Sequence, residues 1–385
     1  MVLALSLAKR GIHVVLLEST NSYKRDFRGE SLQPDAVAIL DDIGLIDEIE
    51  SHGYAETRRL EVVDDDRLIL TVSYEDRPYR HRYIVDLPQP ALLEALHRKI
   101  AQYGNCTLLR GSVFLKLIER DGTVVGVEYR AEGRTEQVLA RCVVGADGRY
   151  SRVREQSGLA FRQRQMERDF LWFKVPFPAR WAATTSRIIL SGANHLVLLP
   201  TFPGLLRAGV NIPKGKFASI KGQGIDGFHQ LIERVDSEFG KHVREHVRDW
   251  SDVHKLDIFT VTMERWGRSG LVLIGDAAHT VTPTLGQGVN LAVQDAVYLA
   301  PLLERMLLTT SGSIDVHARF RALRAPETEF VLKVQMRQER LLCTESVILQ
   351  RVRRWNYRLL HLFPHAQRRL MDRLSYRHQR LIEKD

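Results

Sequence analysis

The sequence contains few cysteines and no long apolar run. Its three cysteines, Cys106, Cys142 and Cys343, lie far apart and form no CxxC pair, which predicts reduced thiols in a cytoplasmic protein and neither a zinc site nor a disulfide framework. No apolar stretch reaches the roughly 18 residues that a membrane span needs, and the apolar start at Met1–Ala8 is too short for an export signal. An HExxH helix, a P-loop and a Ser-His-Asp order are also absent, so the chemistry of those motifs is not predicted.

The composition is that of a globular protein. The chain has 385 residues, of which 44% are hydrophobic and 27% charged, and this suits two or more closely joined domains with ample core material. No internal repeat or low-complexity tract is present.

Positive charge is concentrated at the C-terminal end. The net charge is +9, and residues 351–385 hold ten basic and three acidic residues, a net of +7. In "RRLMDRLSYRHQRLI" (Arg368–Ile382) apolar residues recur at near-helical spacing between arginines. A helix on a membrane surface or an acidic partner is one interpretation. We favour the other, a terminal helix docked by its apolar stripe. Nucleic-acid binding is not predicted, because no stacking motif accompanies the charge.

The N-terminal pattern is the second half of a βαβ nucleotide-binding unit. A helical pattern over Val2–Arg10 is followed by Gly11 and by the apolar strand Ile12–Glu18, which ends in an acid. An acid at that strand end hydrogen-bonds a ribose hydroxyl in such units, so Glu18 is a candidate nucleotide-binding residue.

A second glycine-acid turn follows the apolar strand in "VVGADGRYSRVREQSG" (Val143–Gly158). Asp147, Gly148, Ser151 and Arg154 form the pattern D-G-x-x-S-x-x-R. Ser151 is expected to cap the helix that follows, and Arg154 to reach back to a carboxylate.

The third candidate is "LVLIGDAAHTVTPTLGQGVNLAVQDAVYLA" (Leu271–Ala300). Asp276 follows an apolar strand and can accept hydrogen bonds from a polyol. Pro283 offers a rigid apolar surface, and Gly286, Gln287 and Gly288 open a helix whose N–H groups and dipole favour an electron-rich ring edge. The stretch therefore fits a flavin and its ribityl chain.

These motifs together resemble the class A flavoprotein aromatic hydroxylases, the family of p-hydroxybenzoate hydroxylase. "GDAAHTVTPTLGQGVNLAVQDAVYLA" is similar to the family's second FAD motif, and the D-G-x-x-S-x-x-R pattern to its middle motif. "FRGESLQP" and "LPQPALLEAL" resemble the loops in which an arginine and a glutamine meet the cofactor. The cofactor-binding residues that the resemblance implies are Glu18, Arg28, Gln89, Asp147, Asp276, Pro283, Gly286, Gln287, Gly288 and Asn290.

The resemblance implies an α/β fold, in which a Rossmann-like FAD-binding domain interleaves with a β-rich substrate domain and C-terminal helices follow. The expected FAD-binding domain covers 1–56, 86–158 and 265–310, the substrate domain 57–85 and 159–264, and the helical region 311–385.

The implied reaction is NAD(P)H-dependent hydroxylation of an aromatic or polyketide-like small molecule. FAD reduced by NAD(P)H reacts with O₂ to a flavin C4a-hydroperoxide, which transfers OH to an electron-rich ring carbon. Because the cofactor carries this chemistry, no residue is assigned a catalytic role.

The sequence departs from the family at its start. The family begins with a strand and a GxGxxG turn, whereas this sequence matches from the residue after the third glycine. A start assigned too far downstream is the explanation we favour, and a truncated product is the alternative. A missing central strand is expected to leave two neighbouring strands with unpaired edges.

Other functions on the same fold are a flavin halogenase or a polyprenyl reductase, and a cofactor-free binding module is a third hypothesis. "LWFKVPFP" lacks the halogenase W-x-W-x-I-P pattern, which argues against halogenation. His279 is expected to pack and hydrogen-bond rather than transfer protons. Tyr83, Trp172, Lys174 and His195 are possible pocket residues, none of them favoured.

Overall fold

The computed structural model describes residues 1–23, 30–308 and 315–382. The fold is α/β, as the sequence predicted. The α-helices of this part are Val2–Ala8 (α1), Pro34–Asp42 (α2), Ile46–His52 (α3), Gln89–Ile100 (α4), Arg152–Gln156 (α5), Phe217–Gly222 (α6), Gly224–Glu233 (α7), Ser237–His246 (α8), Gly288–Leu308 (α9), Val316–Leu342 (α10), Val347–Leu362 (α11), Pro364–Ser375 (α12) and Arg377–Ile382 (α13).

The strands of the described residues are short. They are Val14–Glu18 (β1), Ser31–Leu32 (β2), Ala55–Thr57 (β3), Arg59–Asp64 (β4), Arg67–Ser73 (β5), Ile84–Asp86 (β6), Cys106–Arg110 (β7), Val113–Arg120 (β8), Thr123–Ala131 (β9), Arg134–Leu139 (β10), Val143–Gly145 (β11), Phe161–Gln165 (β12), Arg168–Pro176 (β13), Thr185–Ser191 (β14), Asn194–Thr201 (β15), Leu205–Pro213 (β16), His254–Leu256 (β17), Phe259–Met263 (β18), Gly267–Arg268 (β19) and Leu271–Leu273 (β20).

The nucleotide-type part of the fold contains two separate strand groups. β1 pairs in parallel with β7, and β11 pairs in parallel with β20, which also pairs with β19. Within the described ranges, β1 and β11 have no second strand partner. Side chains of both strands, including Leu16 and Val144, line one cavity. β1 and β11 are therefore edge strands of their groups in the described part of the chain.

A seven-stranded sheet forms the β-rich part, in the order β17-β13-β16-β15-β14-β4-β5. Because successive side chains of a strand point to opposite faces, β13 serves two surfaces. Leu171 and Phe173 pack in a core with Phe228 of α7, whereas Phe170 and Trp172 line the cavity. The sheet thus joins a stable core to one wall of the cavity.

Several predicted elements differ from the structure in their boundaries. The helix expected over Pro34–Ser51 is two helices, α2 and α3, because the chain turns at Gly44 with φ +74°, a conformation that glycine adopts at no steric cost. The single helix expected near Gly227–Phe239 is α7 and α8. Asp236 separates them and caps α8 by accepting a hydrogen bond from Phe239 N at 2.8 Å.

The C-terminal segment docks as the favoured interpretation predicted, although it forms α12 and α13 rather than one helix. Met371 and Leu374 are buried, whereas Arg368, Arg369 and Arg373 are exposed. In the part of the chain that the structure describes, no helix has both the length and the apolarity that crossing a membrane requires. Cys106, Cys142 and Cys343 form no disulfides.

Candidate functional site

One continuous cavity of about 1150 Å³ lies between the β-rich sheet and the nucleotide-type strands. Of the predicted cofactor residues, Gln89, Asp276, Pro283, Gly286, Gln287 and Gly288 line it. The structure therefore brings together residues from two separate motifs of the sequence, the one around Gln89 and the one over Leu271–Ala300.

The turn before α9 presents a helix N-terminus to the cavity. Leu285 (φ +66°) and Gly286 (φ +60°) are both left-handed, and this reversal lets α9 begin at Gly288. A Cβ added at Gly288 would meet its nearest atom, in Val281, at an ordinary 3.8 Å. The first N–H groups of a 21-residue helix, which have no partner within the helix, thus open toward the cavity.

Asp276 is held by a second left-handed turn at the end of β20. Gly275 has φ +57°, and Asp276 is half-buried at the cavity wall. The backbone oxygen of Asp276 accepts hydrogen bonds from Thr280 Oγ1 at 2.7 Å and Arg154 Nη1 at 3.2 Å. These contacts fix the backbone from which the carboxylate projects.

A buried ionic cluster anchors the same turn from behind. Asp295 of α9 accepts hydrogen bonds from Gly275 N at 2.9 Å, His279 Nε2 at 2.6 Å and Arg324 Nε at 2.8 Å. Burial alone would raise the pKa of Asp295, but His279 and Arg324 outweigh it and lower that pKa to about 2. His279 also packs on Trp266, with ring centroids 4.7 Å apart. The predicted packing and hydrogen-bonding role of His279 is confirmed.

The D-G-x-x-S-x-x-R motif ties the two glycine-acid turns together. Asp147 accepts hydrogen bonds from Ser151 Oγ and from Val153 N, and Ser151 caps α5 by accepting one from Arg154 N at 2.9 Å. Arg154 donates to the backbone oxygens of Asp276 and Ala277 at 3.2 and 3.1 Å. The prediction that Arg154 contacts a carboxylate is wrong, because these hydrogen bonds go to backbone carbonyl oxygens.

The remaining predicted residues occupy different positions. Asn290 is buried and accepts a hydrogen bond from Gln33 N at 2.7 Å while donating to Gly286 O at 2.7 Å, so it braces the turn before α9. Glu18 is half-buried at the end of β1 and accepts hydrogen bonds from Thr20 N and Oγ1. Glu18, Asp147 and Asn290 do not line the cavity. Arg28 lies outside the described residues.

The residues present fit an FAD molecule. Gln89 Oε1 is buried at the cavity wall, and no hydrogen-bond donor reaches it from the described residues. A buried acceptor without a hydrogen-bond partner needs a donor, and a ribityl or ribose hydroxyl of FAD can supply one. The open helix N-terminus at Gly288 and the carboxylate of Asp276 supply complementary contacts for a ring edge and a polyol.

The opposite wall of the cavity is aromatic. Phe170 and Trp172 lie 5.3 Å apart between ring centroids, and Phe170 lies 5.3 Å from His195. Burial, reinforced by Arg353 and Arg168, lowers the pKa of His195 to about 3, so its ring is neutral. Trp172 Nε1 and His195 Nδ1 are buried without a hydrogen-bond partner from the described residues. Flat apolar surface and polar atoms able to bind a ligand thus occur side by side.

Next to these rings lie four charged side chains, Glu30, Asp86, Lys174 and Arg207, here called the Arg207 cluster. Lys174 Nζ donates to Glu30 Oε1 at 3.1 Å. The Arg207 guanidinium lies 3.4 Å from Glu30 Oε2 and 3.9 Å from Asp86 Oδ1, and 5.3 Å from the Trp172 ring centre.

The Arg207 cluster holds an acid of unusual pKa. Burial raises the pKa of Asp86 to about 6, although Arg207, Ser31 and Thr57 act against the shift. Arg207 Nε and Glu30 Oε2 are buried and have no hydrogen-bond partner in the described part of the chain. The cluster can therefore bind a ligand group that both donates and accepts hydrogen bonds.

The sequence reasoning missed Glu30, Asp86 and Arg207. A signal existed for Arg207, because it interrupts the apolar run "LLRAGVNIP" of β16. Of the four undecided pocket residues, Trp172 and His195 line the cavity and Lys174 contacts it through Glu30. Tyr83 stacks on Tyr54 instead, 6.4 Å away between ring centroids.

Comparison with known proteins gives consistent matches. The FAD binding domain family matches residues 1–333. The chain is 33% identical over 380 residues to 6-methylpretetramide 4-monooxygenase of Streptomyces rimosus, covering 98% of this chain and 90% of that protein. It is 27% identical to rifampicin monooxygenase of Streptomyces venezuelae, covering 97% and 76% of the two chains.

Among solved structures, p-nitrophenol 4-monooxygenase PnpA of Pseudomonas putida superposes with a TM-score of 0.84. The match covers 97% of this chain and 95% of that one at 17% identity. At that identity the likeness concerns the fold alone.

Proposed function

Because this chain belongs to the FAD binding domain family and is an FAD-dependent monooxygenase with NAD(P)H as co-substrate, we propose that it hydroxylates an electron-rich aromatic or polyketide-like compound. The compound would bind between the FAD site and the β-rich sheet. The observation that carries the proposal is the continuous cavity. It extends from the helix N-terminus at Gly288 to the aromatic wall at Trp172 and the Arg207 cluster.

The cofactor would lie along the residues that line the nucleotide side of the cavity. Asp276 would accept hydrogen bonds from the ribityl hydroxyls, and the N–H groups from Gly286 to Gly288 would meet the electron-rich edge of the ring. Gln89 would receive a further hydroxyl. When bound, FAD supplies the redox chemistry that links NAD(P)H to O₂. Glu18 remains our candidate for the ribose and Arg28 for the phosphates or the ribityl chain.

The substrate would be held by the opposite wall. Phe170 and Trp172 offer flat apolar surface to a ring, and Trp172 Nε1 and Arg207 Nε offer two donors. Phenol, enol and amide groups present acceptors for such donors. The S. rimosus relative, whose name gives 6-methylpretetramide as its substrate, supplies the first compound to test.

Replacing Asp276 with alanine is expected to weaken FAD binding about ten- to a hundredfold, because hydrogen bonds to a charged group contribute roughly 1.5–3 kcal/mol. Fluorescence titration of the apoprotein with FAD measures the change. Asp252→Ala, at an exposed aspartate before β17, serves as the matched control and should leave the affinity unchanged. Equal FAD affinity in the two variants would remove Asp276 from the cofactor site.

The hydroxylase proposal predicts that substrate accelerates NADH or NADPH oxidation in the FAD-loaded protein, with matching consumption of O₂. The panel contains 6-methylpretetramide and simple phenols, and mass spectrometry must find one added oxygen atom in the product. A chloride or bromide arm is run in parallel. Incorporation of halide into an aromatic, with no compound hydroxylated, would show that the proposal is wrong.

A further inference from the structure

Helix α11 exposes an apolar stripe on its outer side. Ile348, Val352, Trp355, Leu359 and Leu362, here called the α11 face, recur at intervals of four and three residues and are between 43% and 72% exposed. This spacing places them on one side of a helix. Soluble surfaces seldom present such a continuous apolar stripe without a binding role.

The inner side of α11 is already occupied by the fold. Arg353 and Tyr357 are buried, and Arg353 donates to Gly192 O at 3.0 Å. Arg354 binds Asp64 at 3.0 and 3.1 Å. The helix is therefore fixed with its apolar side outward, and the α11 face does not arise from a loosely placed segment.

Positive charge borders the α11 face on both sides. Helix α11 contains four arginines and no acid, with Arg351 exposed and Arg358 half-exposed along one border. Along the other border, a groove of about 810 Å³ separates α10 from α11. The groove is lined by four basic residues, Arg164, Lys333, Arg337 and Arg340, and by one acidic residue, Glu329.

This charge distribution favours an anionic surface over a second copy of the chain as the partner. A second copy of the chain, docked face to face through α11, would bring its Arg351 and Arg358 toward the same residues and add like-charge repulsion. An anionic surface is instead attracted by the basic residues that border the α11 face. Trp and aliphatic side chains on one helix face with arginines beside them are typical of helices that lie in a lipid interface.

We propose that the α11 face docks the protein on a membrane containing anionic phospholipid. The apolar side chains enter the interface, and the basic groove between α10 and α11 takes the phosphate headgroups. The contact differs from the one considered for Arg368–Ile382, in which Met371 and Leu374 are buried in the fold. It does not depend on the proposed substrate.

The test is co-sedimentation of the full chain with phospholipid vesicles. Vesicles of phosphatidylcholine with about 30% phosphatidylglycerol should bind at least about tenfold more tightly than pure phosphatidylcholine, and about 0.5 M salt should weaken the binding, because polybasic contacts are screened. The double variant Ile348→Ser with Trp355→Ser should lose at least about tenfold in affinity, because the apolar contact supplies much of the binding.

Two matched variants separate the contributions. Leu139→Ser removes an equally exposed apolar side chain, 58% exposed on β10, and should bind as the wild type does. Arg337→Gln with Arg340→Gln should weaken binding only to the anionic vesicles. Thermal unfolding confirms that each variant is folded. The proposal is overturned if the wild type binds neither vesicle, if the Leu139 and α11-face variants bind alike, or if light scattering shows a dimer that the α11-face variant dissociates.

Discussion

Replacing Asp295 with asparagine should lower the free energy of unfolding by about 3–5 kcal/mol, the usual effect of removing one partner of a buried ion pair. Asp295 is fully buried and holds His279, Arg324 and the Gly275 amide at once. Asparagine keeps the shape but leaves Arg324 without its countercharge. Urea unfolding of wild type and variant measures the difference.

A control for this variant is available on the same helix. Glu304 also belongs to α9 and contacts Arg10 at 3.2 Å, with both side chains about one third exposed. Glu304→Gln should change stability by no more than about 1 kcal/mol, as is usual for surface ion pairs. If Asp295→Asn costs no more than Glu304→Gln, the buried cluster does not stabilise the Gly275–Asp276 turn as argued.

The pH dependence provides a second measurement. Since the folded pKa of Asp295 is about 2, below the ordinary value of about 3.9, its contribution is fully present above pH about 4. That contribution is lost as the pH falls toward 2. Stability of the asparagine variant should therefore change less than that of the wild type across this window.

The parts of the site that the sequence predicted are those carried by short, continuous motifs. Asp276 and the Gly286–Gly288 turn lie at the boundary between an apolar strand and a helical pattern, where backbone geometry and chemistry are specified within a few residues. Ser151 is predictable as a helix cap for the same reason. The family resemblance that these motifs carry likewise implied the fold class, whereas the proposed domain boundaries stay predictions.

The parts that the sequence could not predict depend on long-range pairing. Asp295 and Arg324 are separated by 29 residues, and either one alone resembles an ordinary charge on a helix. Glu30 and Arg207 come from a loop and a distant strand. The spacing of Ile348, Trp355 and Leu362 matches that of a helix face buried in a core, and only the packing of Arg353 and Tyr357 shows that the opposite side is the buried one.

The Arg207 cluster combines stability with ligand recognition, and its two roles can be separated. Arg207 is buried beside Glu30 and Asp86, so its loss leaves Glu30 with Lys174 and removes the guanidinium that lies 3.9 Å from Asp86. The repulsion between Glu30 and Asp86 destabilises the fold most at pH values at which both carboxyl groups are ionised. The pKa of Asp86 is about 6 while Arg207 acts to lower it, so removal of Arg207 raises that pKa further. Protonation of Asp86 relieves the cost at low pH, and the relief is lost as the pH rises.

Arg207→Met is accordingly expected to destabilise the fold by about 3–5 kcal/mol, and by more at pH about 8 than at pH about 5. The double variant Arg207→Met with Glu30→Gln removes one charge of each sign and should recover most of that loss. Both variants should retain FAD binding but lose about ten- to a hundredfold in kcat/KM for substrate-stimulated NAD(P)H oxidation, because a charged donor to the substrate is gone. Urea unfolding at the two pH values and steady-state kinetics give the two readouts. If the double variant recovers activity together with stability, Arg207 serves the fold alone and the substrate is recognised elsewhere in the cavity.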